Sequence, residues 1–302
     1  NVKNVKHSAR GIFEESEGAV VFPGEKYGLH RRVFINSQGL PTYEAKDLGL
    51  APKKFKDFLY DLSVIITAVE QSDYFKVVLA ALKEINPKLG EKTKHIAHGM
   101  VRLAEGKMSS RTGNVITAEQ LLDKMKTRVL KIMRSSKRKF PKKELEHIVE
   151  ATAVGAVKYS LLKVSVGQDI VFDFDTSLNL KGDSGPYLQY TYARLKSILR
   201  KAGSAPKKSD FSLIGAETEK TIVRSLVYFP EIVARASAHY EVNALTDYLH
   251  KLANALNSFY EAEPILKAPK PLREARLGLI HAATTILKTG LGILGIKALE
   301  QI

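Results

Sequence analysis

The stretch HIAHGMVRLAEGKMSSRTGN, residues 95–114, joins an apolar run to a cationic loop bounded by glycines. The run at 95–103 predicts a β-strand. The loop after it contains four side chains suited to phosphate binding: Lys107, Ser109, Ser110 and Arg111. It is not a Walker A loop, because that pattern requires a glycine where Val101 stands and a Ser or Thr directly after Lys107. Ligands of open α/β sheets bind at the carboxyl ends of the strands. The sequence therefore predicts either a phosphate-binding loop or an exposed polar loop without a ligand.

The residues before this stretch alternate between strand and helix patterns. Short runs rich in β-branched and aromatic residues predict strands at 19–22, 31–37 and 62–69. The last of these is almost continuously apolar, which is typical of a strand buried on both faces. Helices are predicted between the strands, at 42–51 with Thr42 as N-cap and at 73–85 with Ser72 as N-cap. Strands that alternate with helices indicate an α/β unit with a parallel sheet.

The chain becomes helical after about residue 140. Thr117 and Gln120 first form the capping box of a helix, and long amphipathic helices then follow one another. The breaks between them are expected in two segments rich in Gly, Pro and Lys, 203–210 and 263–272. The predicted fold class is therefore α/β followed by all-α, with one domain at 1–140 and a second at 141–302.

Positive charge is concentrated in one segment. The 302 residues carry a formal net charge of +15, and residues 124–143 hold ten Lys and Arg with no carboxylate. A helix over this segment can pack with one face and offer a basic face to a polyanion, with nucleic acid as the expected partner. A solvated lysine-rich face is the alternative.

The composition excludes some other classes. The chain has no cysteine, so it has neither disulfides nor a thiolate metal site. No apolar stretch is long enough for a membrane span, and residues 1–18 lack the apolar core of a signal peptide. We therefore expect a cytoplasmic protein without a membrane partner.

Lys107-Met108-Ser109-Ser110-Arg111 resembles the Lys-Met-Ser-Lys-Ser signature of class I aminoacyl-tRNA synthetases, in the variant form of arginyl-tRNA synthetases. Further segments resemble landmarks of arginyl-tRNA synthetases in family order: LPTYEAKDLG at 40–49, GPYLQYTYARLKSIL at 185–199, LANALNSFYEAEPIL at 252–266 and TILKTGLGILGI at 285–296. The resemblance implies the second half of a Rossmann-type catalytic domain followed by a helical-bundle anticodon-binding domain. It also implies the function of an arginine–tRNA ligase, with arginine, ATP and the tRNA for arginine as substrates.

The same resemblance assigns ATP-binding and catalytic residues. The ATP-binding residues would lie at the end of the predicted strand and in the loop: His98, Gly99, Met100, Lys107, Met108, Ser109 and Ser110. The catalytic residues, which act on phosphates, would be Lys107, Ser109 and Arg111. Mg²⁺ is implied by the ATP chemistry, but no protein ligand is assigned to it and no metal site is predicted.

Tyr43 and Asp47 are four residues apart, so they share a face of the predicted helix. A carboxylate there can take a guanidinium through two parallel hydrogen bonds, which an ammonium cannot reproduce. Gln71 follows the predicted strand at 62–69. Each residue alone has a plain structural explanation, and it is the resemblance that implies arginine binding by all three.

In the helical half, the resemblance implies that Tyr190, Arg194 and Tyr260 contact the tRNA anticodon. Unpaired RNA bases are recognised by stacking on aromatic rings and guanidinium planes, which these side chains provide. An ordinary core helix with aromatic packing is the alternative.

The His-x-Gly-His signature of class I synthetases does not occur in this sequence. We therefore expect a C-terminal portion of a longer enzyme, with the missing N-terminal half as a partner that full activity requires. Two alternatives stay open. One is a non-catalytic tRNA- or RNA-binding protein derived from a synthetase, and the other is a class I synthetase for another amino acid.

Overall fold

The computed structural model describes residues 11–104, 116–136, 138–203 and 208–302. It divides into two compact units. The first contains Asn1–Met100 and Val166–Gln168, and the second contains Val101–Ser165 and Asp169–Ile302. The cationic loop with Lys107 to Arg111 lies outside the described residues.

The first unit begins with a three-stranded antiparallel sheet. Its strands are β1 (Glu14–Ser16), β2 (Ala19–Phe22) and β3 (Arg32–Ile35), in that spatial order. The turn between β1 and β2 consists of Glu17 and Gly18, both with positive φ, as a two-residue hairpin of this kind requires. The predicted strands at 19–22 and 31–37 are confirmed, but their parallel pairing is wrong. Strands β2 and β3 pair antiparallel, and the segment 23–31 between them is shorter than the crossover that a parallel pair needs.

A parallel strand pair follows in the same unit. The elements are α1 (Tyr43–Phe58), β4 (Ser63–Ala68), α2 (Ser72–Ile85), α3 (Pro87–Glu91) and β5 (Thr93–His98). Strands β4 and β5 pair in parallel from Ser63 opposite Thr93 to Ala68 opposite His98. The prediction that β4 is buried on both faces is wrong, since Ile66 is 66% exposed and the strand pairs only with β5 among the described residues. The two strands nevertheless end at one edge, where the residues after Ala68 and His98 lie.

The predicted strand over 95–103 is divided in two. Gly99 and Met100 interrupt it, and the second piece, β6 (Val101–Leu103), belongs to the second unit. There β6 pairs in parallel with β7 (Ile170–Phe172). A continuous apolar run does not reveal that its two halves have different partners.

Helices make up most of the second unit. They are α4 (Ala118–Ser135), α5 (Lys142–Leu162), α6 (Phe174–Ser177), α7 (Gly185–Ala202), α8 (Glu217–His239), α9 (Val242–Ala262) and α10 (Lys270–Ile293). This confirms the predicted change to long helices. Within the described ranges, no helix is long and apolar enough to cross a membrane.

Helix starts follow the predicted capping only in part. The capping box of α4 is confirmed: Thr117 Oγ1 accepts from the Gln120 amide at 3.2 Å, and Gln120 Oε1 accepts from the Thr117 amide at 3.1 Å. Thr42 stands at the N-cap of α1, but its hydroxyl donates to the Val33 carbonyl at 2.8 Å instead. Ser72 is the first residue of α2 rather than its cap.

The core of the helical unit is assembled around a close approach of α5 and α7. A Cβ placed on Gly185 would lie 2.3 Å from the carbonyl oxygen of Gly155, so only glycine fits there. Beside this contact, fully buried side chains of several helices pack together, among them Leu188, Leu249, Leu256 and Ile280. Close packing of this kind fixes how α7 and α9 face each other.

The guanidinium of Arg276 is buried in the same unit. Arg276 of α10 is 6% exposed and donates from Nε to Glu219 at 2.7 Å and from Nη2 to Glu263 at 2.7 Å. Its Nη1 donates to the Pro264 carbonyl at 2.8 Å. Glu219 is 1% exposed and accepts with its second oxygen from the amides of Gly215 and Ala216 at the start of α8. The arrangement ties the beginning of α8 and the end of α9 to α10.

The Glu219 carboxyl is held ionised in this setting. Burial alone would raise its pKa, but the Ala216 amide and the Arg276 guanidinium outweigh burial, so the pKa lies below its ordinary value. A depressed folded-state pKa stabilises the protein above the ordinary carboxyl pKa. That stabilisation is lost as the pH falls through the folded-state pKa.

We therefore expect Glu219→Gln to lower the free energy of unfolding by about 3 kcal/mol at pH 7, because Arg276 loses a buried charged partner. The deficit should shrink as the pH falls below the ordinary carboxyl pKa and through the lower folded-state pKa, because the wild-type carboxyl then takes up a proton as well. Urea unfolding at a series of pH values from 7 downward measures it. The control is Glu217→Gln, which removes an exposed carboxylate two residues away and should change little. A deficit that grows on acidification would contradict this account.

Candidate functional site

An open pocket of about 440 Å³ lies at the edge of the first unit where β4 ends. Its lining comes from β3, from the start of α1, from the end of β4 and from the start of α2: Arg32, Tyr43, Glu44, Asp47, Thr67, Gln71, Tyr74 and Phe75. The structure thus brings Tyr43, Asp47 and Gln71 to one pocket. Tyr43 is 76% exposed and forms its open wall.

Asp47 is oriented by a residue that the sequence analysis missed. The Tyr74 hydroxyl donates to Asp47 Oδ2 at 2.6 Å. Burial, and after it the Asp47 carboxylate, raises the pKa of Tyr74, so this hydroxyl remains a donor at any ordinary pH. Among the described residues, Oδ1 of Asp47 has no hydrogen-bond partner. The carboxylate is therefore fixed on one side and open on the other.

The other two charges of the pocket compensate each other. Arg32 Nη1 donates to Glu44 Oε1 at 3.3 Å, and the Glu44 side chain is only 13% exposed. The Arg32 guanidinium also lies 5.5 Å from the centre of the Tyr74 ring. With Arg32 paired to Glu44, the Asp47 carboxylate is the uncompensated charge of the lining. Such a pocket favours a cationic ligand.

Glu44, Tyr74 and Arg32 were not predicted from the sequence as pocket residues, and they differ in whether a local sequence signal could have identified them. Glu44 is next to Tyr43 on the first turn of α1, and Tyr74 is on the first turn of α2 after Gln71, so both lay within reach of the spacing argument. Arg32 offers no such signal. It precedes α1 by a whole loop, and only the folded chain brings it to Glu44 and Tyr74.

His95 supports the same pocket from inside the sheet. Its Nε2 is 2.8 Å from Thr67 Oγ1, and its ring stacks on Phe75 with 4.4 Å between ring centres. Burial lowers the pKa of His95, so its ring is neutral at pH 7. Both of its partners line the pocket, which makes His95 part of the pocket wall.

The predicted ATP-binding residues are only partly described. His98 ends β5, and Gly99 and Met100 follow it, with His98 Nδ1 2.9 Å from the Gly99 carbonyl oxygen. Gly99 is buried, whereas His98 and Met100 are exposed. The remaining predicted residues of this site, Lys107, Met108, Ser109, Ser110 and Arg111, lie outside the described residues.

In the second unit, the structure brings Tyr190, Arg194 and Tyr260 together. The Arg194 guanidinium lies 4.7 Å from the centre of the Tyr190 ring and 5.0 Å from that of Tyr260. Arg194 Nη2 also donates to the Tyr190 hydroxyl at 2.9 Å. Tyr260 remains 44% exposed. The three side chains form a stack of π faces and one cation that a base can join.

A second pocket, of about 350 Å³, opens beside this stack. Its lining is mostly apolar and includes Met133, Leu178, Tyr190 and Ile302. The Thr152 hydroxyl is buried in the same wall and has no hydrogen-bond partner among the described residues.

The basic segment behaves as the amphipathic pattern predicts. Leu121, Met125, Val129 and Met133 bury one face of α4. Two cations of the helix are compensated, since Lys126 pairs with Glu150 and Arg128 with Asp175, each at 2.5 Å. Lys124, Lys131 and Arg134 are exposed and have no carboxylate within salt-bridge distance in the described part of the chain.

No metal centre is formed by the side chains that the structure describes. None of their His, Asp and Glu residues come together in groups of three that could hold an ion. The described residues therefore do not provide a ligand set for the Mg²⁺ that ATP chemistry implies.

Two family models match most of the chain. Residues 2–174 match the model described as "tRNA synthetases class I (R), catalytic domain", and residues 188–302 match the "DALR anticodon binding domain". These matches confirm the predicted fold class, a class I catalytic domain followed by a helical anticodon domain.

Relatives of known name agree with these models. The arginine–tRNA ligase of Clostridium kluyveri is 34% identical over 296 residues, which are 97% of this chain and 52% of that protein. That of Bdellovibrio bacteriovorus is 35% identical and covers 97% of this chain and 51% of its own length. The structure of Thermus thermophilus arginyl-tRNA synthetase superposes with a TM-score of 0.87 at 28% identity, covering 100% of this chain and 58% of that one. The chain thus spans about half the length of the curated relatives that it matches. It belongs to the arginyl-tRNA synthetase family.

Proposed function

We propose that this chain is part of an arginine–tRNA ligase. Such an enzyme joins arginine to ATP with release of pyrophosphate and then transfers the arginyl group to the terminal ribose of its tRNA. The observation that carries the proposal is the pocket in which Tyr43, Asp47 and Gln71 meet and Asp47 is the uncompensated charge. The curated relatives are about twice as long as this chain, so the complete reaction would also use residues outside it.

The pocket suits a guanidinium better than an ammonium. The Tyr74 hydroxyl holds Asp47 by Oδ2, which leaves the carboxylate in a fixed plane with Oδ1 open. Each carboxylate oxygen can accept two hydrogen bonds, so Oδ2 can still accept a second one beside that of Tyr74. A planar guanidinium can then bridge both oxygens with parallel hydrogen bonds, whereas an ammonium acts as a point charge. Tyr43 and Gln71 would contact the rest of the arginine. A class I synthetase for another amino acid would not need a pocket that prefers a guanidinium to an ammonium.

ATP would bind where β5 ends and in the cationic loop. His98, Gly99 and Met100 would meet the adenine side, and the loop residues would meet the phosphates: Lys107, Met108, Ser109, Ser110 and Arg111. Lys107, Ser109 and Arg111 would stabilise the charge that develops in the transition state. No side chain would act as a covalent nucleophile, so positioning and electrostatics would supply the rate. Mg²⁺ would accompany ATP, and we assign it no protein ligand.

The tRNA would bind to the helical unit. Tyr190, Arg194 and Tyr260 would receive an unpaired anticodon base, and the 350 Å³ pocket beside them has room for another. The exposed cations of α4 would contact phosphates. In this assignment residues 1–140 are the second half of a Rossmann-type catalytic domain and residues 141–302 bind the anticodon. The enzyme would work in the cytoplasm with the tRNA for arginine.

A non-catalytic RNA-binding protein is the second candidate. The exposed basic face of α4 favours it, because such a face binds any nucleic acid through phosphates. The two candidates differ in the first pocket, since only a ligase needs arginine there.

We expect Asp47→Asn to weaken L-arginine binding by about tenfold or more, because the carboxylate that lacks a cationic partner in the described lining is lost. The preference for L-arginine over L-lysine should disappear with it. Calorimetric titration of both amino acids into the chain measures this. The control is Asp57→Asn, which removes an exposed carboxylate of α1 outside the pocket. If the Asp47 variant retained the preference, the pocket assignment would be wrong.

We expect two substitutions in the second unit to affect tRNA binding differently. Tyr260→Leu should weaken binding of an arginine tRNA by roughly tenfold without changing its salt dependence, because a stacking surface is lost. Lys131→Gln should weaken binding less but reduce the slope of log K against log salt by about one. Filter binding at several salt concentrations measures both. Tyr228→Leu, at a tyrosine that is 57% exposed on α8, is the control. An unchanged affinity of the Tyr260 variant would remove the stack from the proposed interface.

A further inference from the structure

A hydrogen-bonded side chain lies directly behind the Arg194 stack. Asn257 of α9 accepts with Oδ1 from Arg194 Nη1 at 2.7 Å. Its Nδ2 faces three acceptors, the Tyr187 hydroxyl at 2.9 Å, Thr191 Oγ1 at 3.0 Å and the Ala253 carbonyl at 3.0 Å. Asn257 thus connects the half-buried guanidinium of Arg194 on α7 to groups in the core between α7 and α9.

The orientation of the Asn257 amide is determined by its partners. A guanidinium can only donate and a main-chain carbonyl can only accept, so the oxygen must face Arg194 and the nitrogen must face Ala253. The amide cannot turn over without opposing donor to donor at Arg194. The Asn257 amide therefore has a single orientation that satisfies both partners.

The same reasoning extends the chain further. The Tyr187 hydroxyl accepts from Asn257, so its own hydrogen goes to Asn254 Oδ1 at 2.7 Å. The Asn254 nitrogen in turn lies 3.1 Å from His250 Nε2. The other ring nitrogen of His250, Nδ1, is 3.7 Å from Asp183 Oδ1, which is beyond hydrogen-bond distance. A row of consistently directed hydrogen bonds thus leads from Arg194 through Asn257 and Tyr187 to Asn254, with His250 next to it.

The Asp183 carboxylate near His250 is held by two other side chains. The Tyr159 hydroxyl, in a fully buried residue, donates to Asp183 at 2.5 Å, and Lys163 Nζ is 3.2 Å from the same carboxylate. Burial alone would raise the pKa of Asp183, but the hydrogen bond from Tyr159 and the charge of Lys163 outweigh it and hold the pKa below its ordinary value. Asp183 therefore stays a fixed acceptor.

These hydrogen bonds hold the Arg194 side chain in one conformation. A free arginine side chain samples many rotamers, and ordering it on binding costs free energy. Here Nη1 is held by Asn257 and Nη2 by Tyr190, so the guanidinium already lies between the rings of Tyr190 and Tyr260. An incoming base would meet an ordered surface.

We propose that Asn257 is a positioning residue for RNA recognition: it holds the Arg194 guanidinium between Tyr190 and Tyr260, and Tyr187 and Thr191 hold Asn257. The inference rests on the proposed function, since it assumes that the Arg194 stack receives a tRNA base. Asn257 itself acts through Arg194 and needs no contact with RNA.

A double-substitution cycle on the full chain tests the proposal. We expect Asn257→Ala to weaken binding of an arginine tRNA transcript by roughly tenfold and to have no further effect in a chain that carries Arg194→Ala. Ser258→Ala, at the exposed neighbour on α9, should leave binding unchanged. A general structural role would instead lower affinity by the same factor in both backgrounds, and that result would overturn the proposal. If the alanine variant does not fold, Asn257→Ser is expected to behave in the same way.

A measurement without RNA separates this inference from the proposed function. In ¹⁵N-labelled protein, the guanidinium protons of Arg194 should be protected from exchange in the wild type and in Ser258→Ala, and unprotected in Asn257→Ala. Protection that survives the loss of Asn257 would overturn the positioning role, whatever the RNA affinity. Protection that depends on Asn257, in a chain that does not distinguish arginine tRNA from other tRNA, would overturn the proposed function and the RNA role of Asn257 with it.

Discussion

The helical unit depends on the burial of one guanidinium. Arg276 is compensated by Glu219 and Glu263, and its three donor groups are all used. A buried ion of this kind is costly unless every partner is in place, so it permits one arrangement of α8, α9 and α10. Helix α9, whose C-cap residue Glu263 is one of these partners, also carries Asn257 and Tyr260. The salt bridges of Arg276 therefore help to fix the helix that presents the surface that we assign to RNA.

In both candidate sites, an uncharged side chain orients a charged group by a hydrogen bond. In the first unit, the Tyr74 hydroxyl holds a carboxylate, and in the second, the Asn257 amide holds a guanidinium. Each leaves one face of the charged group open to a ligand, and each removes the cost of ordering that group on binding. The signs are opposite, as an amino acid with a cationic side chain and a nucleic acid would require. What each unit offers its ligand is a charge that is already in position.

The sequence predicted the local part of this picture and missed the long-range part. Tyr43 and Asp47 lie one turn apart, so helical spacing was enough to place them on one face, whereas Tyr190 and Arg194, also one turn apart, were named through the resemblance. The partners that orient them come from other elements, 27 residues away for Tyr74 and 63 for Asn257, and no periodicity links such positions. The prediction of one continuous strand over 95–103 was wrong for a related reason, since the two halves of this segment pair with strands in different units. Resemblance supplied the ligands that spacing alone could not identify.

The central claim is that this chain recognises the tRNA for arginine. The most direct test is to titrate the chain with an arginine tRNA transcript and with an unrelated tRNA over a range of salt concentrations. Base contacts are not screened as phosphate contacts are, so the account predicts tighter binding of the arginine tRNA and a preference that persists at high salt. Equal binding of the two tRNAs that falls steeply with salt would contradict it. The basic face of α4 would then account for all of the affinity.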